Sequence, residues 1–301
     1  MNAQLRDTHI PAGLYLHESE ATYHGDREGV LSCSAMKQLL RSPAHYQAWA
    51  TAPMDSGQTE SQRFGKAFHA AILEPERFAA DYMVLPEDAP RRPSISQREA
   101  VKPSPASVEA IRYWDAIERA GKVILSQDDM TRIAAMLASV HDHPMARLLV
   151  KGGHGEVSLR WTDEVTGLRC KARADYYREA PKRYVLDVKT CADASPEAFA
   201  KAVHNFGYHL QHAHYADGFR TLGLPLDGFY LLAVETEAPF VCQPYYLDAE
   251  AEGKGFALRT KAAATLKRCM ESGRFPGYSD DLAPLRLPAW ATKITDEETT
   301  P

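Results

Sequence analysis

The chain has 301 residues, 35 Lys plus Arg against 40 Asp plus Glu, 45% apolar residues and 25% charged ones. That profile excludes a disordered, fibrous or disulfide-stapled chain and leaves an ordinary globular protein of one or two domains. A formal net charge of −5 excludes a protein that coats nucleic acid indiscriminately, so charge has to be read by segment.

Residues 1–30 are polar and aperiodic and read as an irregular arm. Leu31-Ser32-Cys33-Ser34-Ala35-Met36 opens a helix: Ser32 or Ser34 can cap it, Met36, Leu39 and Leu40 fall at helical spacing, and Ser42-Pro43 stops it. A second helix carries Phe64, Phe68, Ile72 and Leu73 and ends near Glu74-Pro75. Prolines 86, 90, 93, 103 and 105 make residues 86–106 a loop, whose basic centre (Arg91, Arg92, Arg98 and Lys102) reads as solvated charge. Helical patterns return over 107–120 and 127–150.

From Glu156 the period becomes two. Val157, Leu159 and Trp161 alternate with polar residues; after a turn at Thr166-Gly167, Cys170, Ala172 and Ala174 do the same. A third strand, Tyr184 to Thr190, completes a meander. Helices over 195–204 and 208–222, strands over 229–235 and 240–247, and a long helix over 248–272 follow. This order predicts an α/β or α+β chain around one mixed sheet. The cysteines Cys33, Cys170, Cys191, Cys242 and Cys269 form no CxxC pair and fit a cytoplasmic location. No run of about 18 apolar residues predicts a membrane span, and the first residues carry no apolar signal core.

Asp187 and Lys189 sit two apart in the third strand, on one face and roughly 6.6 Å from each other, while Leu186 and Val188 point the other way. Alone, such a pair is most often a surface ion pair. Asp175, at the end of the second strand, changes that reading, because hairpin pairing brings its carboxylate to Asp187. Two clustered carboxylates repel unless a cation lies between them, and Mg²⁺ takes oxygen ligands while keeping several waters. Such an ion lowers the pKa of bound water and neutralises charge on a phosphate, with Lys189 assisting.

Asp175 and Asp187-Val188-Lys189 on consecutive strands resemble the core motif of the PD-(D/E)xK nucleases. Gly65-Lys66-Ala67-Phe68-His69 through Leu73-Glu74-Pro75 resembles the upstream histidine helix of its RecB-like and RecE-like branch. Gln211-His212-Ala213-His214-Tyr215 is similar to the branch's Q-x-x-x-Y motif, and the Leu31–Leu40 run and residues 156–175 are similar to the nuclease domain of exonuclease VIII. Where the family usually has proline before the first aspartate, this chain has Ala174, which changes no chemical group.

The resemblance implies a restriction-endonuclease-like core, a central mixed sheet flanked by helices with an N-terminal helical extension. It implies one nuclease domain over 31–275 and a tail over 276–301. It assigns catalysis to Asp175, Asp187, Lys189, Glu156 and Gln211, and metal contacts to Asp175, Asp187, Val188 and His69. His69, beside Phe68 and Ile72, would by itself read as a packed core histidine. Tyr215 is assigned to the DNA path and Gln211 to orienting the lysine or a phosphate, against a bare reading as a packing stripe that His204 and Tyr208 extend if the helix is continuous. Lys171 and Arg173 share the parity of Asp175 and are expected to contact phosphates. Residues 145–190 carry ten Lys or Arg against six Asp or Glu, so the meander is the basic part of an acidic chain.

His204, His209, His212 and His214 lack the H-x-x-x-H spacing of a zinc site. The implied activity is Mg²⁺-dependent, with Mn²⁺ able to substitute: a 5′-to-3′ exonuclease that resects linear double-stranded DNA for single-strand annealing. A RecT-type annealing partner, a phage or prophage origin, a ring-shaped homo-oligomer and no ATP requirement are implied with it; the chain has no G-x-x-x-x-G-K-[ST] loop. An endonuclease or single-strand nuclease of repair or defence, and an inactive DNA-binding module, are the alternatives.

Overall fold

The computed structural model describes residues 10–16, 18–53, 57, 59–86 and 88–288. In chain order the elements are β1 (Gly13–Tyr15), α1 (Glu20–Gly25), β2 (Val30–Leu31), α2 (Cys33–Arg41), α3 (Pro43–Thr51), α4 (Glu60–Leu73), α5 (Pro75–Asp81) and β3 (Tyr82–Val84). Then come α6 (Ile95–Arg98), α7 (Pro105–Ala120), β4 (Val123–Leu125), α8 (Gln127–Asp142), α9 (Ala146–Leu149), β5 (His154–Thr162), β6 (Arg169–Arg178) and β7 (Tyr184–Cys191). Finally α10 (Pro196–Phe206), α11 (Tyr208–Thr221), β8 (Gly228–Glu235), β9 (Cys242–Tyr246) and α12 (Ala249–Ser272) close the chain.

Among the described residues the main sheet runs β1-β5-β6-β7-β8-β9, with β2 lying parallel to the start of β6. β7 and β8 are parallel, and the other neighbours along that path are antiparallel. This is the expected mixed α/β sheet. Parallel neighbours need a crossover, supplied by α10 and α11. Both faces of β7 and β8 are covered, so Tyr184 to Val188 and Leu231 to Val234 are buried without interruption. One face packs Met36, Phe219 and Leu266 from α2, α11 and α12; the other packs Phe68, Ile133 and Met136 from α4 and α8.

Local chemistry sets the boundaries. Ser32 caps α2 by accepting from the Ala35 N–H. Ser42 ends α2 through its own N–H to the Gln38 carbonyl and caps α3, where Pro43 fills the first turn without losing a needed donor. The chain therefore turns a corner at Ser42-Pro43 instead of leaving the helical state.

Several expectations change. The arm over 1–30 is not irregular where it is described: β1 pairs with β5, α1 is capped by Ser19, and β2 pairs with β6. The loop over 86–106 contains α6, and its Arg92 and Arg98 are engaged by Glu118 and Asp115. The helix over 127–150 divides into α8 and α9. Gly207, at φ 67°, separates α10 from α11, so His204 lies off the helix that carries Tyr208, Gln211 and Tyr215. Residues 276–288 hold no regular element, while 1–9 and 289–301, including the acidic Asp296–Glu298, lie outside the described residues. Among the described residues no helix is long and apolar enough to cross a membrane.

Candidate active site

The site forms where the β6–β7 ladder opens. Tyr176, Tyr177 and Arg178 pair with Leu186, Val185 and Tyr184, and the next pair would be Asp175 with Asp187. Instead Asp175 Oδ2 accepts the Val188 N–H at 2.9 Å, so a carboxylate replaces the backbone partner and the strands part. Asp175 thus lies inside β6, three residues before its end, and not at the strand end. Asp187 is wholly buried. Its Oδ1 accepts from Gln211 Nε2 at 2.7 Å. Lys189 Nζ stands 2.5 Å from Oδ2 as an ion pair, without the alignment of a hydrogen bond.

Glu156 is flanked by Gly155 and Val157, which pair with Tyr176 and Ala174, so it faces Asp175 across the ladder. Its φ of 53° is left-handed, a conformation costing a non-glycine residue about 1–2 kcal/mol, and strain of this kind concentrates at functional sites. Burial, then Asp175, pushes its carboxyl up to about 7. Burial and Asp175 also push Asp187 up to about 7, against the opposing pull of Lys189. Burial alone would lower the Lys189 ammonium, but Asp187 and Asp175 reverse that and hold it charged.

His69 reaches the site from α4, its Nδ1 3.6 Å from Asp175 Oδ2. Burial, followed by Lys189, pushes the imidazole down to about 4, leaving it neutral at pH 7. The helical motif around it has a packing reason. A Cβ on Gly65 would lie 3.4 Å from the Thr190 hydroxyl, and one on Gly155 would collide with Glu74 Cγ at 2.6 Å. The helix is therefore held against β7 at one end and β5 at the other, with His69 between.

These donors fit a divalent cation. Glu156 and Asp187, whose carboxyls burial and the neighbouring Asp175 push up, Asp175 itself and the neutral His69 imidazole are the hard oxygen and nitrogen donors such an ion takes, and Asp187 Oδ2 is approached by the Lys189 ammonium without a hydrogen bond. Among the described residues, however, no three His, Cys, Asp or Glu side chains stand close enough together to hold a metal; the Lys189 ammonium fills the place beside Asp187.

Gln211 and Tyr215 form one chain of hydrogen bonds. Gln211 Nε2 donates to Asp187 and, at 3.0 Å, to the Tyr215 hydroxyl, which donates to the Arg173 carbonyl. Gln211 therefore orients Asp187 and not the lysine. Tyr215 is buried and tied to β6, so its expected place on a DNA path is corrected.

Lys171 and Arg173 are corrected as phosphate contacts for a related reason. Lys171 is buried, with Nζ donating to the Tyr23 carbonyl at 2.5 Å and to that of Asp26. Arg173 donates to Ser158 Oγ at 2.9 Å and to the Glu18 carbonyl at 2.8 Å, and lies 4.3 Å over the Tyr23 ring. Arg160 is paired with Glu18 and Asp26. The segment over 18–26 covers this face and neutralises the basic meander.

Two residues were not singled out for the site by pattern. Tyr208, the first residue of α11, places its ring 4.8 Å from Lys189 Nζ. Lys37, from α2, is exposed, lies against Gly207 and feels the charges of Lys189 and Asp187. A basic residue following the Leu31–Met36 run was the available signal for Lys37. A hollow of about 750 Å³ between α10, β9 and α12 is lined by none of Glu156, Asp175, Asp187 and Lys189.

A mixed sheet with parallel β7 and β8, an acid at the opening of the β6–β7 ladder and D-x-K on β7 defines a PD-(D/E)xK-type nuclease fold. Residues 32–288 match the family described as a PDDEXK-like domain of unknown function, DUF3799, and the chain belongs to it. No curated protein matches the sequence. Among solved structures, one from Eubacterium rectale, provisionally named an exonuclease, is similar over 93% of this chain and 98% of its own, with 10% identity and a TM-score of 0.57. A phage-related exonuclease from Haemophilus somnus 129PT is 12% identical over 60% of this chain and 90% of its own, with a TM-score of 0.30.

Proposed function

We propose that the chain is a Mg²⁺-dependent deoxyribonuclease, with Mn²⁺ able to substitute, that digests linear double-stranded DNA from the 5′ end without ATP. The observation that carries this reading is the opening of the β6–β7 ladder at Asp175, which sets two carboxylates and a lysine in one wedge. The resemblance to exonuclease VIII and the name of the Eubacterium rectale structure support the exonuclease mode. Asp175, Asp187, the Val188 carbonyl and His69 would hold the ion. When bound, it acidifies a water and neutralises charge growing on the scissile phosphate.

The chain's own residues do the rest. Gln211 holds the Asp187 carboxylate in one rotamer, Lys189 supplies a positive charge beside it, and Glu156 is a third acid able to take a proton near pH 7. A role before single-strand annealing with a RecT-type partner, a ring-shaped oligomer and a phage or prophage setting belong to the same reading. Its five free thiols suit the cytoplasm.

The test incubates the protein with linear duplex DNA labelled at either 5′ or 3′ ends and with covalently closed circles, with Mg²⁺, with Mn²⁺ or with chelator. Early release of 5′ label, intact circles and no reaction in chelator are expected. Cleaved circles would establish the endonuclease alternative. Absence of digestion with either metal would establish the inactive DNA-binding module.

DNA recognition falls on Lys37, because it is exposed and near enough to the wedge to feel the charges of Lys189 and Asp187, whereas Lys171 and Arg173 are engaged. Lys37→Ala is expected to raise KM for DNA about three- to tenfold with little change in kcat, and to reduce the salt slope of binding by about one. Steady-state kinetics over a salt series reads both. An unchanged KM and slope would remove Lys37 from the DNA path.

A further inference from the structure

Lys189 has two acceptors within reach. One is Asp187 Oδ2 at 2.5 Å; the other is the face of Tyr208, whose ring centre lies 4.8 Å from Nζ. Asp187 Oδ1 is already taken by Gln211, and Oδ2 is the oxygen without a hydrogen bond. A cation held by Asp187 therefore competes with the lysine for Oδ2. The Lys189 side chain is only 18% exposed, and an ammonium stranded there without a partner would oppose metal binding.

The tyrosine face is prepared for this. Gly207, left-handed at φ 67°, ends α10 and starts α11 in one residue, which brings Tyr208 over β7. Phe206 is stacked with the ring at a centroid distance of 5.8 Å and an interplanar angle of 25°, and Phe199 is tilted against it at 6.1 Å. An ammonium within about 6 Å of an aromatic centroid is attracted by the ring quadrupole, more strongly when desolvated.

We infer that Tyr208 is the second seat of Lys189: the ammonium rests on Asp187 in the metal-free protein and moves to the Tyr208 ring when Asp187 takes a divalent cation. Tyr208 is thus a positioning residue that raises metal affinity and keeps the lysine charge in the wedge. The inference rests on the metal-dependent reading above.

Mn²⁺ binding followed by calorimetry tests it without reference to activity. Tyr208→Phe keeps the ring face and is expected to bind as the native protein does. Tyr208→Leu is expected to weaken binding about tenfold. On a Lys189→Met background, where no ammonium needs a seat, Tyr208→Leu is expected to change nothing. Equal affinities for the native protein and Tyr208→Leu, or the same loss on both backgrounds, overturn the inference alone. Absence of Mn²⁺ binding by the native protein overturns the metal reading and the inference with it.

Discussion

Asp187→Asn is expected to lower Mg²⁺-dependent digestion of linear DNA by about a thousandfold or more, the scale of losing a principal charge-stabilising group. Asparagine keeps the shape of the side chain and an oxygen for Gln211, so the hydrogen-bond chain to Tyr215 and β6 survives. It removes the negative charge that faces Asp175 and pairs with Lys189. Lys189→Ala is expected to cause a loss of the same order while leaving both carboxylates. Timed digestion alongside far-UV circular dichroism reads activity and fold together. Near-native digestion by either variant, with its fold intact, would sink the assignment of this wedge as the catalytic centre.

Arg259→Ala is expected to destabilise the fold by about 3–5 kcal/mol, the scale of stranding buried charge, and to lower Tm by roughly 10 °C. Arg259 is buried on α12, where its Nη2 donates to Asp163 Oδ2 at 2.6 Å and to Asp217 of α11. Asp217 also accepts from Trp161 Nε1 at 3.2 Å, so one guanidinium ties α11 and α12 to β5 and its turn. Alanine leaves buried Asp163 without its cation, and leaves Asp217 facing it with only the exposed Arg220, 2.9 Å from its Oδ1.

The pH dependence has a definite sign. Burial pushes the Asp163 carboxyl up, but bonds from Thr166 and Arg259 outweigh it and hold it below the ordinary value of 3.8. A carboxylate depressed in the folded state stabilises above its unfolded pKa and loses that contribution as pH falls through its folded one. The cost of Arg259→Ala is therefore full at neutral pH and shrinks below about 3.8. Thermal melts of both proteins at neutral and acid pH measure it. A pH-independent difference would assign Arg259 to packing alone.

Asp175, Asp187 and Lys189 were legible because a period of two reports which side chains share a strand face. Ser32 and Ser42 were legible because capping is local chemistry. The reach of the N-terminal segment was not: Lys171 meets the Tyr23 carbonyl across 148 residues, and no periodicity within either segment encodes that meeting. Parity placed Lys171 and Arg173 on the correct side of β6 but carried no information about what covers that side. The same limit hid Tyr208, whose position depends on the break at Gly207.

By itself the sequence determined the order of strands and helices from β5 to α12, the face that Asp187 and Lys189 share, and a net charge whose positive part lies in the meander. Backbone period, caps and turns are properties of near neighbours and survive in any fold that contains them. Only the tertiary structure decided that Asp175 interrupts the β6–β7 ladder, that Gln211 holds Asp187, that Glu156 turns left-handed, and that Glu18 and Asp26 absorb the meander's basic charge. Each depends on burial and on partners far away in the chain, where desolvation sets which charges are paired and which remain available to a ligand.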